Sequence, residues 1–114
     1  MTKYLETNDT ICATATPPGR GGIAVIRLSG PAAVSIGQKI APFLIKDSEI
    51  ESHRAYYGVL RNPVTKESLD EAVVTYFAEG RSFTNQHVLE FSVHGSPAIC
   101  ELIIQVSPWV VYSM

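Results

Sequence analysis

The sequence predicts an α+β domain with a mainly antiparallel sheet and two helices. Three observations lead there. Short runs rich in β-branched and aromatic residues recur along the chain. Two segments introduced by proline carry apolar residues at helical spacing. The elements follow the order ββαβββα, a run that suggests a mainly antiparallel sheet with helices on one face.

The first strand is expected over 10–16 (TICATAT), after a polar, frayed stretch of nine residues. PPGRGG (17–22) is a loop, since two prolines and three glycines do not sit inside an element. Ile23 to Ser29 (IAVIRLS) reads as a second strand. Gly30-Pro31 opens a helix with Pro31 at its first position, where the missing N–H costs nothing. Ala33, Ile36, Ile40 and Leu44 recur on one face, and Pro42 ends the helix near Ala41. After a polar loop (45–52), RAYYGVLRN (54–62) and EAVVTYFA (71–78) form strands joined by a long hairpin loop. Glu79 to Gln86 is polar loop. HVLEFSVH (87–94) alternates, with Leu89, Phe91 and Val93 on one face and Val88, Glu90, Ser92 and His94 on the other. Ser96 and Pro97 fit the N-cap and first turn of a second helix, whose apolar face is Ile99, Leu102, Ile103 and Val106. Ser107-Pro108 stops it. The organisation is thus a frayed 1–9, one domain over 10–106, and an atypical tail over 107–114.

Composition removes several function classes. The chain has 114 residues, 46% hydrophobic and 18% charged, with net charge −2, which suits one packed domain and not a disordered one. No basic excess is available to neutralise nucleic-acid phosphates. No apolar run approaches a membrane span, and the first ten residues lack the apolar core of a secretory signal. Cys12 and Cys100 stand far apart without metal-ligand spacing. They read as two free, buried, small hydrophobes in a reducing cytoplasm, with neither a disulfide scaffold nor a metal site.

Two features carry possible chemistry. Gly19-Arg20-Gly21-Gly22-Ile23-Ala24 matches GxGxxG/A formally, but a strand follows it. A dinucleotide or phosphate site would need a helix N-terminus there. The loop is either a β–β connection whose glycines accept positive φ, or a segment where backbone N–H groups approach a ligand. The second feature is a pair of charges inside apolar strands, Arg27 in IAVIRLS and Glu90 in VLEFSV. On one sheet face they can read a planar heterocycle. The carboxylate accepts from an amino group and its neighbouring ring N–H, and the guanidinium donates to an oxygen. Each charged hydrogen bond contributes about 1.5–3 kcal/mol. Alternatively they face solvent or form a mutual salt bridge of about 0–1 kcal/mol. His94 on the same face is either a further ligand group or a satisfied histidine at a strand end. No nucleophilic triad or catalytic carboxylate pair is present, so no catalytic residue is assigned.

DTICATATPPGRGGIAVIRLSGPAA (9–33) and LDEAVVTYFAEGRSFTNQHVLEFSVHGSPAI (69–99) resemble the two signature segments of the N-terminal domain of bacterial tRNA modification GTPases, the MnmE or TrmE family. The resemblance spans roughly residues 8–105. It implies a fold like the tetrahydrofolate-binding domains of aminomethyltransferase-type enzymes. It further implies homodimerisation through this domain and binding of 5-formyl- or 5,10-methylene-tetrahydrofolate. In that family an FAD-dependent partner protein joins in modifying carbon 5 of the wobble uridine of tRNA, in the cytoplasm. GTP, Mg2+ and K+ serve a GTPase domain, of whose P-loop this sequence has no trace. Carried over by residue, the folate-binding positions fall on Arg27 and Glu90, with Arg20, Gly21, Gly22 and His94 as secondary candidates. Asn85-Gln86-His87 replaces Gly-Glu-Asp of the family, and His94-Gly95-Ser96 replaces His-Gly-Gly. The closing VSPWVVYSM does not resemble the family's continuation, so the chain reads as a fragment without the helical and GTPase domains. The competing expectation is an interaction domain that dimerises and binds no small molecule. A stand-alone aminomethyltransferase would need a much longer chain.

Overall fold

The computed structural model describes residues 9–16, 23–45, 52–78, 87–94, 98–107 and 110–113. The expected loops 17–22 and 79–86, most of 45–52, the terminus before Asp9 and the Ser96-Pro97 helix start lie outside them. Among the described residues there are six strands and two α-helices. They are β1 (Ile11–Thr16), β2 (Ala24–Ser29), α1 (Ala33–Ile40), β3 (Arg54–Arg61), β4 (Ser68–Phe77), β5 (Val88–Val93), α2 (Ala98–Val106) and β6 (Val111–Ser113). One sheet runs in the order β3-β4-β5-β2-β1-β6, antiparallel throughout except for β1 beside β6. The α+β, mainly antiparallel expectation therefore holds.

Alternation sorts the side chains. Ala24, Ile26 and Leu28 of β2 are buried, as are Leu89, Phe91 and Val93 of β5 and Ala72, Val74 and Tyr76 of β4. These residues share one sheet face with the buried Ile36 and Ile40 of α1 and Ile99 and Ile103 of α2. Burying a side chain of this size contributes about 1.5–3 kcal/mol, which makes this two-layer core the main favourable term. The opposite face of the sheet carries no described helix.

The junction between β1, β2, β5 and α1 turns on Gly30. Its φ is +136°, open to glycine and strained for any L side chain. Its N–H donates to the His87 carbonyl at 2.9 Å, and its carbonyl accepts from Ala33 N at 3.1 Å. Beside it, buried Thr10 uses Oγ1 to accept from the N–H of Ala32 at 3.2 Å. A residue from outside the helix thus satisfies the N–H of the N-cap residue itself, the group that a Glu or Gln at N3 takes up in a capping box.

Four expectations are corrected. Helix α1 starts at Ala33 with Ala32 as N-cap, so Pro31 lies in the preceding turn and not at the first helical position. Gly30's positive φ and the Thr10 cap set that later start. Pro42 does end the helix, and a 3-10 turn (Pro42–Ile45) continues from it to bury Leu44. Strand β4 begins at Ser68, because a tight Asn62-centred turn shortens the hairpin link. Asn62 Oδ1 accepts from Val64 N at 2.8 Å and Thr65 N at 3.1 Å. The segment placed in an atypical tail supplies β6, parallel to β1, with Val111 N donating to Thr10 O at 2.9 Å and Val110 buried. Finally, Cys12 and Cys100 are not two free thiols. They form a disulfide with a Cα–Cα separation of 6.0 Å, and both are fully buried. Their 88-residue separation hid this, since only the packing of α2 on β1 brings them together.

A Cβ at position 30 would lie 2.6 Å from Thr10 Cα and 2.7 Å from Thr10 Oγ1. Backbone cannot move aside as a flexible side chain can. Gly30→Ala is therefore expected to destabilise the domain by about 2–4 kcal/mol. A thermal melt would show this as a fall of roughly 10–25 °C. An unchanged melting temperature would mean that the junction does not constrain residue 30.

Candidate functional site

The open sheet face centres on the two charges expected there. Arg27 of β2 and Glu90 of β5 are direct cross-strand partners. Their place follows from period-two alternation: the neighbours Ile26, Leu28, Leu89 and Phe91 all point into the core, so the charged residues must point out. Arg27 Nε donates to Glu90 Oε2 at 3.0 Å and Nη2 donates to the same oxygen at 2.6 Å. Both donors thus converge on one carboxylate oxygen, and Glu90 Oε1 has no partner among the described residues. The side chains are 32% and 27% exposed, shielded in part but reachable from solvent.

The register of four strands defines what surrounds this pair. One row across the sheet reads Ala55, Thr75, Glu90, Arg27, Ala13. The side chains next to the charged pair in this row, Thr75 and Ala13, are small. The next row holds Tyr57, Val73, Ser92 and Val25. The row on the other side holds Phe77, Val88, Ser29 and Ile11. Two largely apolar rows therefore flank a polar line. A flat, partly aromatic ligand could lie on such a surface while its polar edge meets the central charges.

The remaining candidates fare differently. His94, at the end of β5, is tied to β4. Its backbone N–H donates to Asp70 Oδ2 at 2.7 Å, and its ring Nδ1 lies 3.3 Å from the Glu71 carbonyl and 3.6 Å from Asp70 Oδ1. That favours the reading of a satisfied histidine at a strand end over a ligand group. Arg20, Gly21 and Gly22 lie outside the described residues. They belong to the segment between β1 and β2; since β2 is a strand, no helix N-terminus follows the glycines. Among the described residues no cluster of three or more His, Cys, Asp or Glu could hold a metal ion.

Sequence reasoning missed Tyr57 and Glu71. Tyr57 is 65% exposed, and its hydroxyl donates a short hydrogen bond to Glu71 Oε1 across the β3–β4 hairpin. No local pattern announces such a pair, because its partners come from different strands. The hydrogen bond to Glu71 raises the Tyr57 pKa above the ordinary value of 10.0, helped by partial loss of water and by the negative charge of Glu71. A raised folded-state value means that this contribution to stability is fully present below the unfolded pKa. It is lost as pH climbs through the folded one. In an absorbance titration of the phenols, Glu71→Gln is expected to bring one tyrosine back toward its ordinary range. Superimposable titrations of the two proteins would refute the Tyr57–Glu71 bond.

No described helix is long and apolar enough to cross a membrane. Residues 10–109 match the family model described as GTP-binding protein TrmE N-terminus. The chain is 53% identical over 96 residues to a tRNA modification GTPase MnmE of Bdellovibrio bacteriovorus, a match covering 84% of this chain and 20% of that protein. It is 41% identical over 103 residues to the protein of that name from Koribacter versatilis, covering 90% of this chain and 23% of the relative. For Thermus thermophilus the identity is 38% over 103 residues, with 90% and 23% covered. The chain thus spans about a fifth of the length of the curated relatives it matches. With strands and helices in the expected order and a family match from β1 to the end of α2, the chain belongs to the family of MnmE (TrmE) N-terminal domains.

Proposed function

We propose that this domain binds a reduced folate, 5-formyl- or 5,10-methylene-tetrahydrofolate, on its open sheet face, with Arg27 and Glu90 as the recognition pair. One observation carries the reading. Glu90 presents a carboxylate oxygen without a partner among the described residues, beside a guanidinium, on the face without described helices and between apolar rows. A pterin offers an amino group and an adjacent ring N–H to a carboxylate, and a carbonyl to a guanidinium. The donor and acceptor types therefore fit. When bound, the folate would supply a one-carbon unit. Glu90 would orient the ring through its N–H edge, and Arg27 would hold Glu90 in place while donating to a ligand oxygen. Apolar neighbours such as Val25 and Val73 would keep water from the ring faces. Arg20, Gly21 and Gly22 are proposed as secondary contacts, with backbone N–H groups of the glycines as donors.

The setting proposed for this site follows the relatives' name, tRNA modification GTPase MnmE. The domain would form a homodimer and serve, with an FAD-dependent partner protein, in modification of carbon 5 of the wobble uridine of tRNA in the cytoplasm. GTP, Mg2+ and K+ would act in a GTPase domain and not at this sheet. A second reading rests on the exposed apolar residues Tyr57 and Val73 in the row next to the charged pair. On that reading a second copy covers the face, and the domain only dimerises.

Calorimetric titration of the chain with 5-formyl-tetrahydrofolate decides between them. Binding is expected. Glu90→Ala and Arg27→Ala should each weaken it by about 10- to 150-fold, the equivalent of one charged hydrogen bond. The pair is partly exposed, so neither change should alter the melting temperature by more than a few degrees. A folded chain that sediments as a dimer and takes up no folate would favour the purely dimerising domain.

A further inference from the structure

We propose that Cys12 and Cys100 form a redox-responsive fastening that holds α2 on the sheet, closed by a small-molecule disulfide and opened by a small-molecule thiol. The inference does not depend on folate binding.

Three observations support it. The cysteines lie on β1 and in the first turn of α2, with a Cα separation of 6.0 Å, inside the range that a disulfide spans without moving backbone. Both are fully buried. The helix they hold packs chiefly on β1 and β6, whereas α1 packs on β2, β3, β5 and the 3-10 turn. Strand β6 itself is three residues long and hydrogen-bonded along β1. The layer made by α2 and β6 is thus attached at one side of the molecule, and the cysteine bond is its covalent attachment.

Burial also dictates how the bond is made. No oxidant reaches either sulfur while α2 is seated, so exchange requires the helix to lift locally. With α2 lifted, the Cys100 thiol gives up its proton and its thiolate attacks one sulfur of a small disulfide such as glutathione disulfide. The sulfur–sulfur bond of the small molecule breaks. One small thiolate leaves and is protonated, and a mixed disulfide remains on Cys100. As the helix reseats, Cys12 loses its proton and attacks the Cys100 sulfur. The second small thiolate departs and takes up a proton. Two cysteine thiols are oxidised to one disulfide, and one small disulfide is reduced to two thiols. A small thiol in excess reverses the sequence.

The cross-link closes a loop over 88 residues of sequence separation, nearly the whole domain, so its effect on the unfolded chain is large. The test uses the full chain equilibrated in glutathione buffers of graded ratio, then quenched in acid and alkylated under denaturing conditions. Mass spectrometry is expected to show an oxidised form, lighter by two hydrogens and resistant to alkylation, giving way to a form with two alkylated cysteines. The melting temperature should fall by more than about 10 °C between them. Reduction should run at least about 100-fold slower in native buffer than in denaturant, because α2 must first open. Cys12→Ala/Cys100→Ala should melt at one temperature in every buffer. If that variant does not fold, the comparison of the two wild-type forms decides. Two alkylatable thiols in every buffer would overturn the proposal. So would a stable mixed disulfide with glutathione, equal melting temperatures, or equally fast reduction in native and denaturing conditions.

Discussion

The pairing of β2 with β5 in one register, from Ala24 opposite Val93 to Ser29 opposite Val88, governs the rest of the molecule. Neither strand has a sequence neighbour for a partner here, since α1, β3 and β4 intervene. Because side chains alternate, this register puts Ile26 beside Phe91 and Leu28 beside Leu89 in the core and sets Arg27 against Glu90 on the other face. A slip of one residue would bury a guanidinium and a carboxylate and expose four large apolar groups. The cost of burying charge without full pairing makes that alternative strongly unfavourable. The core therefore enforces the site: the apolar residues choose the register, and the charged pair follows.

Once β2 and β5 are joined, the two faces divide the work. One is sealed by α1, α2 and the 3-10 turn and supplies the stabilising burial. The other carries no described helix, and Tyr57 and Val73, in the row next to the ionic pair, are exposed. There Arg27 and Glu90 bond to each other through one carboxylate oxygen. Such a partly exposed pair contributes little to stability, about 0–1 kcal/mol.

Much of this was legible along the chain because local physics decides it. The runs around Arg27 and Glu90 alternate, so the outward direction of both charges follows from the sequence. Proline and glycine punctuation placed the helices to within a few residues. The misses share one cause. The α1 start depends on Thr10, the residue just before β1, which bonds Ala32 from outside the helix. Strand β6 exists because β1 offers it an unpaired edge; three residues without such an edge carry no strand signal of their own. Tyr57 and Glu71 meet only when β3 and β4 pair.

The sequence by itself determined the class of fold, the inward and outward faces of the strands, and the identity of the two charges at the centre of the open face. Periodicity and local backbone preference suffice for these, because each is a property of a few consecutive residues. Only the tertiary structure decided that the two charges are direct neighbours, that a rear strand closes on β1, and that Cys12 and Cys100 meet as a buried bond. Contacts between residues 63 and 88 positions apart cannot be read from any local window, since they arise only after the sheet has ordered its strands.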